Sequence, residues 1–333
     1  MIYARDVGHC LVSPHIKEVT ISEIRPAENS DRLEIIRFME NGWQVISQKG
    51  LHAIGDRVTF IPPDSVLPTA LAEESGVMPY TSKGRIRTAR LRGNRSEGLI
   101  LRTKMVAPYI SSIMHWENPP SVGMRGNCIK NADLSPDAVV FYKMPRIQDE
   151  LNIFEVGEPI SESEKVHGTN FRVGHLRHPI TGSLVPYIGS HHMNLSLKDN
   201  KDNIFVRLAI PLLDIIPKGF LFFGEVYGPG VQKGYSYGLT SPTVTFYAIA
   251  EQGEYLLPDE FADICVDNKL TFLKMSYSNF KNTEQIMAMA ETPSGITTAH
   301  KREGVVIASR KNRGRMAKCI GFDFLSGKVT KRG

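Results

Sequence analysis

The chain has 333 residues, 41% apolar and 23% charged, with a formal net charge of +5. That is the composition of folded globular protein, long enough for two domains. Gly and Pro number only 28 and 20, which excludes collagen-like and low-complexity chains, and no apolar run reaches the roughly 18 residues a membrane-spanning helix needs.

The amino-terminal third reads as short strands separated by turns. Lys17–Ile24 carries the β-branched residues Val19, Thr20, Ile21 and Ile24 and is broken by Pro26–Asp31. Leu33–Phe38 and Trp43–Ser47 flank Asn41-Gly42, a hairpin signal. Arg57–Ile61 follows Gly55-Asp56 and ends at Pro62-Pro63, and Arg85–Leu91 and Gly98–Arg102 are further strands. This pattern, with no long helical period, predicts a small closed β-barrel, and the OB-fold is the form most often tied to nucleic acid. Met105–Gln148 is punctuated by Pro119, Pro120, Gly123, Gly126, Pro136 and Pro145 and reads as a connector with a short helix near Ala107–His115. Beyond Ile153, strands are expected at Phe171–Val173, Phe220–Val226, Thr243–Ala250 and Gly304–Ala308, and helices at Asn203–Ile216 and Thr283–Ala290. Without βαβ alternation the class is α+β. The expected division is a barrel over 1–125, a linker over 126–150 and a second domain over 151–333.

Cys10, Cys128, Cys265 and Cys319 lie far apart with no CxxC pair. They form neither a zinc ribbon nor a disulfide framework, and they fit a soluble protein in a reducing, cytoplasmic setting. The charge is unevenly spread. Thr81–Lys104 holds eight basic residues against Glu97, and 301–333 holds ten against Glu303 and Asp323. Two Arg-rich windows on an otherwise acidic chain point to phosphate contacts, since the guanidinium fork matches phosphate oxygens; an ordinary solvated surface gives the same counts.

Three segments carry chemistry. In Glu164-Lys165-Val166-His167-Gly168-Thr169-Asn170, a lysine sits in a turn before a strand, with a glycine that lets backbone approach a nucleotide. An amine there can attack phosphorus once its pKa is brought down. Taken alone, the pattern also fits a solvated loop lysine. In Phe222-Phe223-Gly224-Glu225-Val226-Tyr227-Gly228-Pro229-Gly230, an apolar strand delivers one carboxylate and then a turn. A buried Glu225 needs a hydroxyl, amide or metal partner. In Arg302-Glu303-Gly304-Val305-Val306-Ile307 a second carboxylate opens a strand, and Arg313-Gly314-Arg315-Met316-Ala317-Lys318 brings cations a short loop later. Oxygens for a metal and cations for phosphates are what an ATP·Mg²⁺ site requires.

The ordered series Lys165-x-x-Gly168, Phe223-Gly224-Glu225, Glu303-Gly304-Val305-Val306 and Lys318 resembles motifs I, III, IV and V of the covalent nucleotidyltransferases. Glu164–Phe171 and Gly228–Lys233 are similar to the ATP-dependent RNA ligases in particular. The stretches Ile24–Pro26, Asp31–Glu34, Gly55–Val58, Asp64–Pro68 and Arg87–Leu99 resemble the nick-sealing group with an amino-terminal OB domain. This resemblance implies an OB barrel followed by a ligase-type domain of antiparallel sheets flanked by helices. It implies Lys165 as the nucleophile that takes AMP from ATP, Glu225 at the ribose or at the waters of a bound metal, Glu303 as a ligand of Mg²⁺ or Mn²⁺, and Lys318 at the α-phosphate. Glu164, Val166, Gly168, Asn170, Phe246 and Arg146 would line the nucleotide. Arg85, Arg87, Arg90 and Arg92 would hold a nicked RNA-containing duplex, with no membrane; protein partners stay open, a monomer being one option.

Three departures stand out. Gly189–Asn194, with His191 and His192, replaces an expected basic stretch. Ile249 and Ala250 replace the second aromatic and the acid of motif IIIa. Met316 or Ile320 takes the second lysine position of motif V, with Arg315 as the compensating cation. The alternatives are a DNA ligase, a capping-type enzyme, or a binding protein with a degenerate nucleotide domain.

Overall fold

The computed structural model describes residues 9–12, 16–116, 135, 144–190 and 194–327. The chain divides into two compact units, Met1–Pro119 with Ile147–Leu151, and Pro120–Arg146 with Asn152–Gly333.

In the first unit, β1 (His9–Val12) precedes β2 (Lys17–Pro26), β3 (Leu33–Phe38), β4 (Gln44–Gln48) and β5 (Arg57–Ile61). Strand β2 is long enough to serve two neighbours. Its first half pairs with β5, from Lys17↔Phe60 to Thr20↔Arg57, and its second half with β3, through Ile24↔Ile36. A break in register between Ile21 and Glu23 bends it between them. After β6 (Ser65–Val66) and α1 (Thr69–Glu74) come the β7 (Thr88–Leu91) and β8 (Asn94–Glu97) hairpin, β9 (Leu99–Leu101), α2 (Thr103–Val106) and β10 (Met114–Trp116). The sheet order β4-β3-β2-β5-β9 makes a nearly closed barrel around Val19, Ile21, Ile36, Phe38, Trp43 and Phe60.

The Asn41-Gly42 hairpin forms, but as a wider loop. Asn41 Oδ1 accepts from Trp43 N at 3.0 Å, and Gly42 N donates to Gln148 O at 2.9 Å. The tight two-residue turn lies elsewhere, at Arg92-Gly93 between β7 and β8. The helix expected over Ala107–His115 begins earlier, at α2, and tightens into a 3₁₀ turn over Ala107–Ser112. Pro108 offers no N–H to an α-helical bond.

The second unit holds β11 (Pro159–Lys165), β12 (Thr169–Arg177), β13 (Leu184–Gly189), α3 (Ile204–Leu213), β14 (Phe220–Tyr227), β15 (Thr243–Glu251) and β16 (Glu254–Tyr255). Then follow α4 (Pro258–Asp267), β17 (Met275–Asn279), α5 (Thr283–Ala290), β18 (Gly304–Ser309), β19 (Met316–Ile320) and α6 (Phe322–Leu325). Two antiparallel sheets form, β13-β12-β14-β15-β16 and β17-β11-β18-β19. Alternation sorts the larger sheet's side chains. Phe171, Val173, Phe222, Phe246 and Ile249 pack with Phe205 and Ala209 of α3 and Phe261 of α4. On the other face Leu176, Tyr187, Phe223, Ala248 and Tyr255 pack with Met316 of β19, so the two sheets meet through a second core. Among the described residues no helix is long and apolar enough to cross a membrane.

Candidate active site

Lys165 is the last residue of β11, and a sharp turn returns the chain as β12. Val166 is buried with Tyr227, Tyr237 and Leu273, which pins the turn. Gly168 is required by proximity: a Cβ there would lie 2.2 Å from Val226 O and 2.8 Å from Glu225 Cγ. Two bonds from the segment after β14 hold the turn. Gln232 Nε2 donates to Gly168 O and His167 N donates to Tyr237 Oη, each at 2.7 Å.

The register Lys165↔Gly304 sets Glu303 opposite the lysine. Lys165 Nζ lies 2.8 Å from Glu303 Oε1, and His167 Nδ1 lies 3.0 Å from Oε2. Gly304 permits the approach of β19, since a Cβ would fall 2.0 Å from Cys319 O. Glu225 comes from β14, where it pairs with Asn170 of β12, and it accepts from the Gly168 N–H.

Burial and charge decide the protonation states. Burial pushes Glu303 upward, but the Lys165 ammonium and the His167 bond overcome it and hold the carboxyl at about 2. Burial dominates at Glu225, raising it to about 8 against the pull of Lys165, with Glu303 adding repulsion. Burial also opposes the charge on Lys165, yet Glu303 and Glu225 together raise its pKa above the ordinary value. The amine is therefore stored as an ammonium, locked to Glu303.

Asn170 Nδ2 donates to Tyr247 Oη at 2.6 Å, while its Oδ1 is buried without a partner. With Glu225 and Glu303 this orphaned oxygen makes a donor set suited to Mg²⁺ or Mn²⁺, which take hard oxygen ligands. Among the described residues no group of three His, Cys, Asp or Glu could hold a metal alone. Water and phosphate would complete the shell, as is usual for Mg²⁺.

Glu164 faces away from this cluster. Ser294 Oγ donates to its Oε1 and Gly295 N to its Oε2, each at 2.7 Å. It lines a cavity of about 360 Å³ with Tyr227, Thr245, Phe272, Met275 and Val305. Lys318, on β19, pairs with Val306, its N–H donates to Pro145 O at 2.9 Å, and it bridges to Arg146. Lys165, Glu225, Glu303, Asn170 and Gly168 thus converge, and Arg146 lies beside Lys318.

Phe246 sits elsewhere. It is buried in the core under α3, and its neighbour Tyr247, at the register break between β14 and β15, reaches Asn170 instead. A one-residue shift along a strand exchanges faces, and a bulge of this kind leaves no trace in the sequence pattern. The motif V substitutions are also accounted for. Met316 belongs to the core between the sheets, and Arg315 is tied to Glu158 at 3.1 Å. His191 and His192 lie outside the described residues.

The cationic windows separate as well. Lys301 pairs with Asp323, Arg310 with Asp259 and Arg313 with Glu260, so several cations of the carboxy-terminal window are matched by acids of their own unit. Arg85 bonds Asp64 at 2.7 Å and covers Trp116, whereas Arg87, Arg90 and Arg92 are exposed. His167, Tyr237, Tyr247 and Ser294 were not singled out by sequence. Only His167 had a signal, its place inside the motif I block.

Residues 158–320 match the family described as RNA ligase. That segment, just under half of the chain, is similar to the RNA ligases. The whole chain also resembles solved Naegleria gruberi RNA ligase structures. With that of the ligase with PPi it shares 22% identity, a TM-score of 0.76, and coverage of 94% of this chain and 98% of the other. With a mutant of the same ligase with ATP and Mn the values are 21%, 0.77, 94% and 98%. This likeness establishes the fold of both units. The chain matches no curated protein sequence.

Proposed function

We propose that the protein is an ATP-dependent RNA ligase that joins a 3′-OH to a 5′-phosphate at a nick in an RNA-containing duplex, through a lysyl-AMP intermediate. The observation that carries this reading is the Lys165–Glu303 pair at 2.8 Å, with Glu225 beside it, inside the segment that matches the RNA ligases. The ATP- and Mn-containing ligase structures of the same fold support ATP with a divalent metal.

A divalent cation held by Glu225, Glu303 and Asn170 Oδ1 would supply positive charge that favours the neutral amine at Lys165 and steadies phosphate charge. Lys165 Nζ gives up its proton and attacks the α-phosphorus of ATP. A P–N bond forms as the bond to pyrophosphate breaks. Lys318 and Arg146 neutralise the phosphates. A 5′-phosphate oxygen at the nick then attacks the lysyl-AMP phosphorus, and the P–N bond breaks. Finally the 3′-OH attacks the adenylylated end and AMP leaves. Each displacement is in line, so position and charge do most of the work.

The free thiols Cys265 and Cys319 support a reducing, cytoplasmic setting. With α-labelled ATP and Mn²⁺ the protein is expected to retain label after denaturation, and Lys165→Ala to retain none. Label of wild-type yield in Lys165→Ala overturns the reading, and label from GTP but not ATP points to a capping-type enzyme.

A further inference from the structure

Two exposed cations of the first unit, Arg90 and Arg92, lie on one hairpin, and a third, Arg87, immediately precedes it. β7 and β8 pair from Thr88↔Glu97 to Leu91↔Asn94 and close on Arg92-Gly93, with φ of 52° and 92°. Such a turn favours Asn, Asp or Gly at its first position. An arginine there is strained. Arg90 and Arg95 also face each other across the strands, a like-charge pairing that weakens a hairpin.

Other bonds hold the tip in place. Asn94 is buried, accepts from Glu28 N at 3.0 Å, and donates to Glu28 O at 2.6 Å and to Leu91 O and Arg92 O at 3.3 Å. The base is fixed to β4, with Gln44 Nε2 donating to Arg95 O at 2.8 Å and Ile46 N to Ser96 Oγ at 3.1 Å. Glu97, the sole acid between Thr81 and Lys104, is fully buried against Arg95 at 2.6 Å. The hairpin's exposed charge is therefore entirely positive. It lies in the connection between β5 and β9, the fourth and fifth strands of the barrel, where OB-folds carry an oligonucleotide-binding loop.

We propose that the β7–β8 hairpin is a preorganised phosphate clamp for the duplex flanking the nick. Arg87, Arg90 and Arg92 contact the backbone, and Asn94 acts as the positioning residue that fixes the tip. Strain at Arg92 is retained because it aims a guanidinium at the phosphates. The inference rests on the ligase reading above, and it separates Arg92 from Arg85, which Asp64 and Trp116 already engage.

The test uses the full chain and a nicked RNA duplex, with affinity measured across salt concentrations. Arg92→Gly relieves the turn. It is expected to raise the melting midpoint by about 2 °C, yet to weaken binding several-fold and reduce the slope of log affinity against log salt by roughly 1. Arg87→Gln should reduce the slope similarly. Arg57→Gln, at an exposed residue paired with Glu18 at 2.7 Å, removes the same charge and should leave the slope unchanged. Wild-type affinity and slope in Arg92→Gly overturn the proposal. So does an equal loss in Arg57→Gln, which would mean diffuse attraction, or a lower midpoint in Arg92→Gly. ATP labelling of wild-type protein is run alongside. Failure there counts against the ligase reading, whereas normal labelling with unchanged Arg92→Gly binding counts against the hairpin alone.

Discussion

Lys165 and Glu303 each keep the other charged, and Glu225 bears the cost by holding its proton to about pH 8. The sign of the pH dependence follows. A carboxyl raised above its ordinary 4.5 stabilises the fold at low pH, and that contribution fades as pH climbs towards about 8. Metal binding must displace the proton, so Mn²⁺ affinity is expected to rise with pH up to about 8 and then level off. Calorimetry in buffers of different ionisation heat should show proton release at pH ~6.5 that falls to about a quarter at ~8.5, and Glu225→Gln should abolish it. At Tyr237 only a hydroxyl is at stake, the one that accepts from His167 N. Tyr237→Phe is expected to slow adduct formation about tenfold by loosening the lysine's aim. KM for ATP and the melting midpoint should stay near wild type; a change confined to KM would place the residue at the nucleotide instead.

At the level of elements, glycine sets where strands can touch. Gly168→Ala drives a methyl to 2.2 Å from Val226 O, and the expected loss is about 3 kcal/mol or more by urea unfolding, with loss of adduct formation. Gly182→Ala, at a φ of 66° in open space, should cost only about 1 kcal/mol. Strands rich in β-branched or aromatic residues were legible in sequence: Leu33–Phe38 and Arg57–Ile61 fall where expected. β17 was not, because Met275-Ser-Tyr-Ser-Asn279 is a largely exposed edge with little apolar signal. Nor was β19, where a lysine and a cysteine interrupt a five-residue run. Glu225 and Glu303 were legible because each adjoins an apolar run, whereas Lys165 ends the largely polar β11, Pro159-Ile-Ser-Glu-Ser-Glu-Lys165, and was legible only through the motif I block. Tyr247 was not, because a bulge rather than composition turns it towards the site.

Across the whole molecule, counted charge and available charge differ. The carboxy-terminal window looked as cationic as the amino-terminal one, yet Arg310, Arg313 and Arg315 are paired with acids of their own unit. Such exposed pairs add little stability each, but they leave less free charge for a polyanion. The candidate catalytic set likewise belongs to one unit, including Pro145 and Arg146 beside Lys318. A fragment of residues 120–333 is therefore expected to form the ATP adduct, and one of residues 152–333 to form several-fold less. Equal labelling of the two would remove Arg146 from the nucleotide.

Both tryptophans of the chain, Trp43 and Trp116, lie in the amino-terminal unit, one stacked on Phe60 inside the barrel and the other beneath Arg85. Excitation at the red edge of protein absorbance thus illuminates only that half. The carboxy-terminal unit is dark there, which gives the native protein an intrinsic optical label for its barrel without any engineered dye.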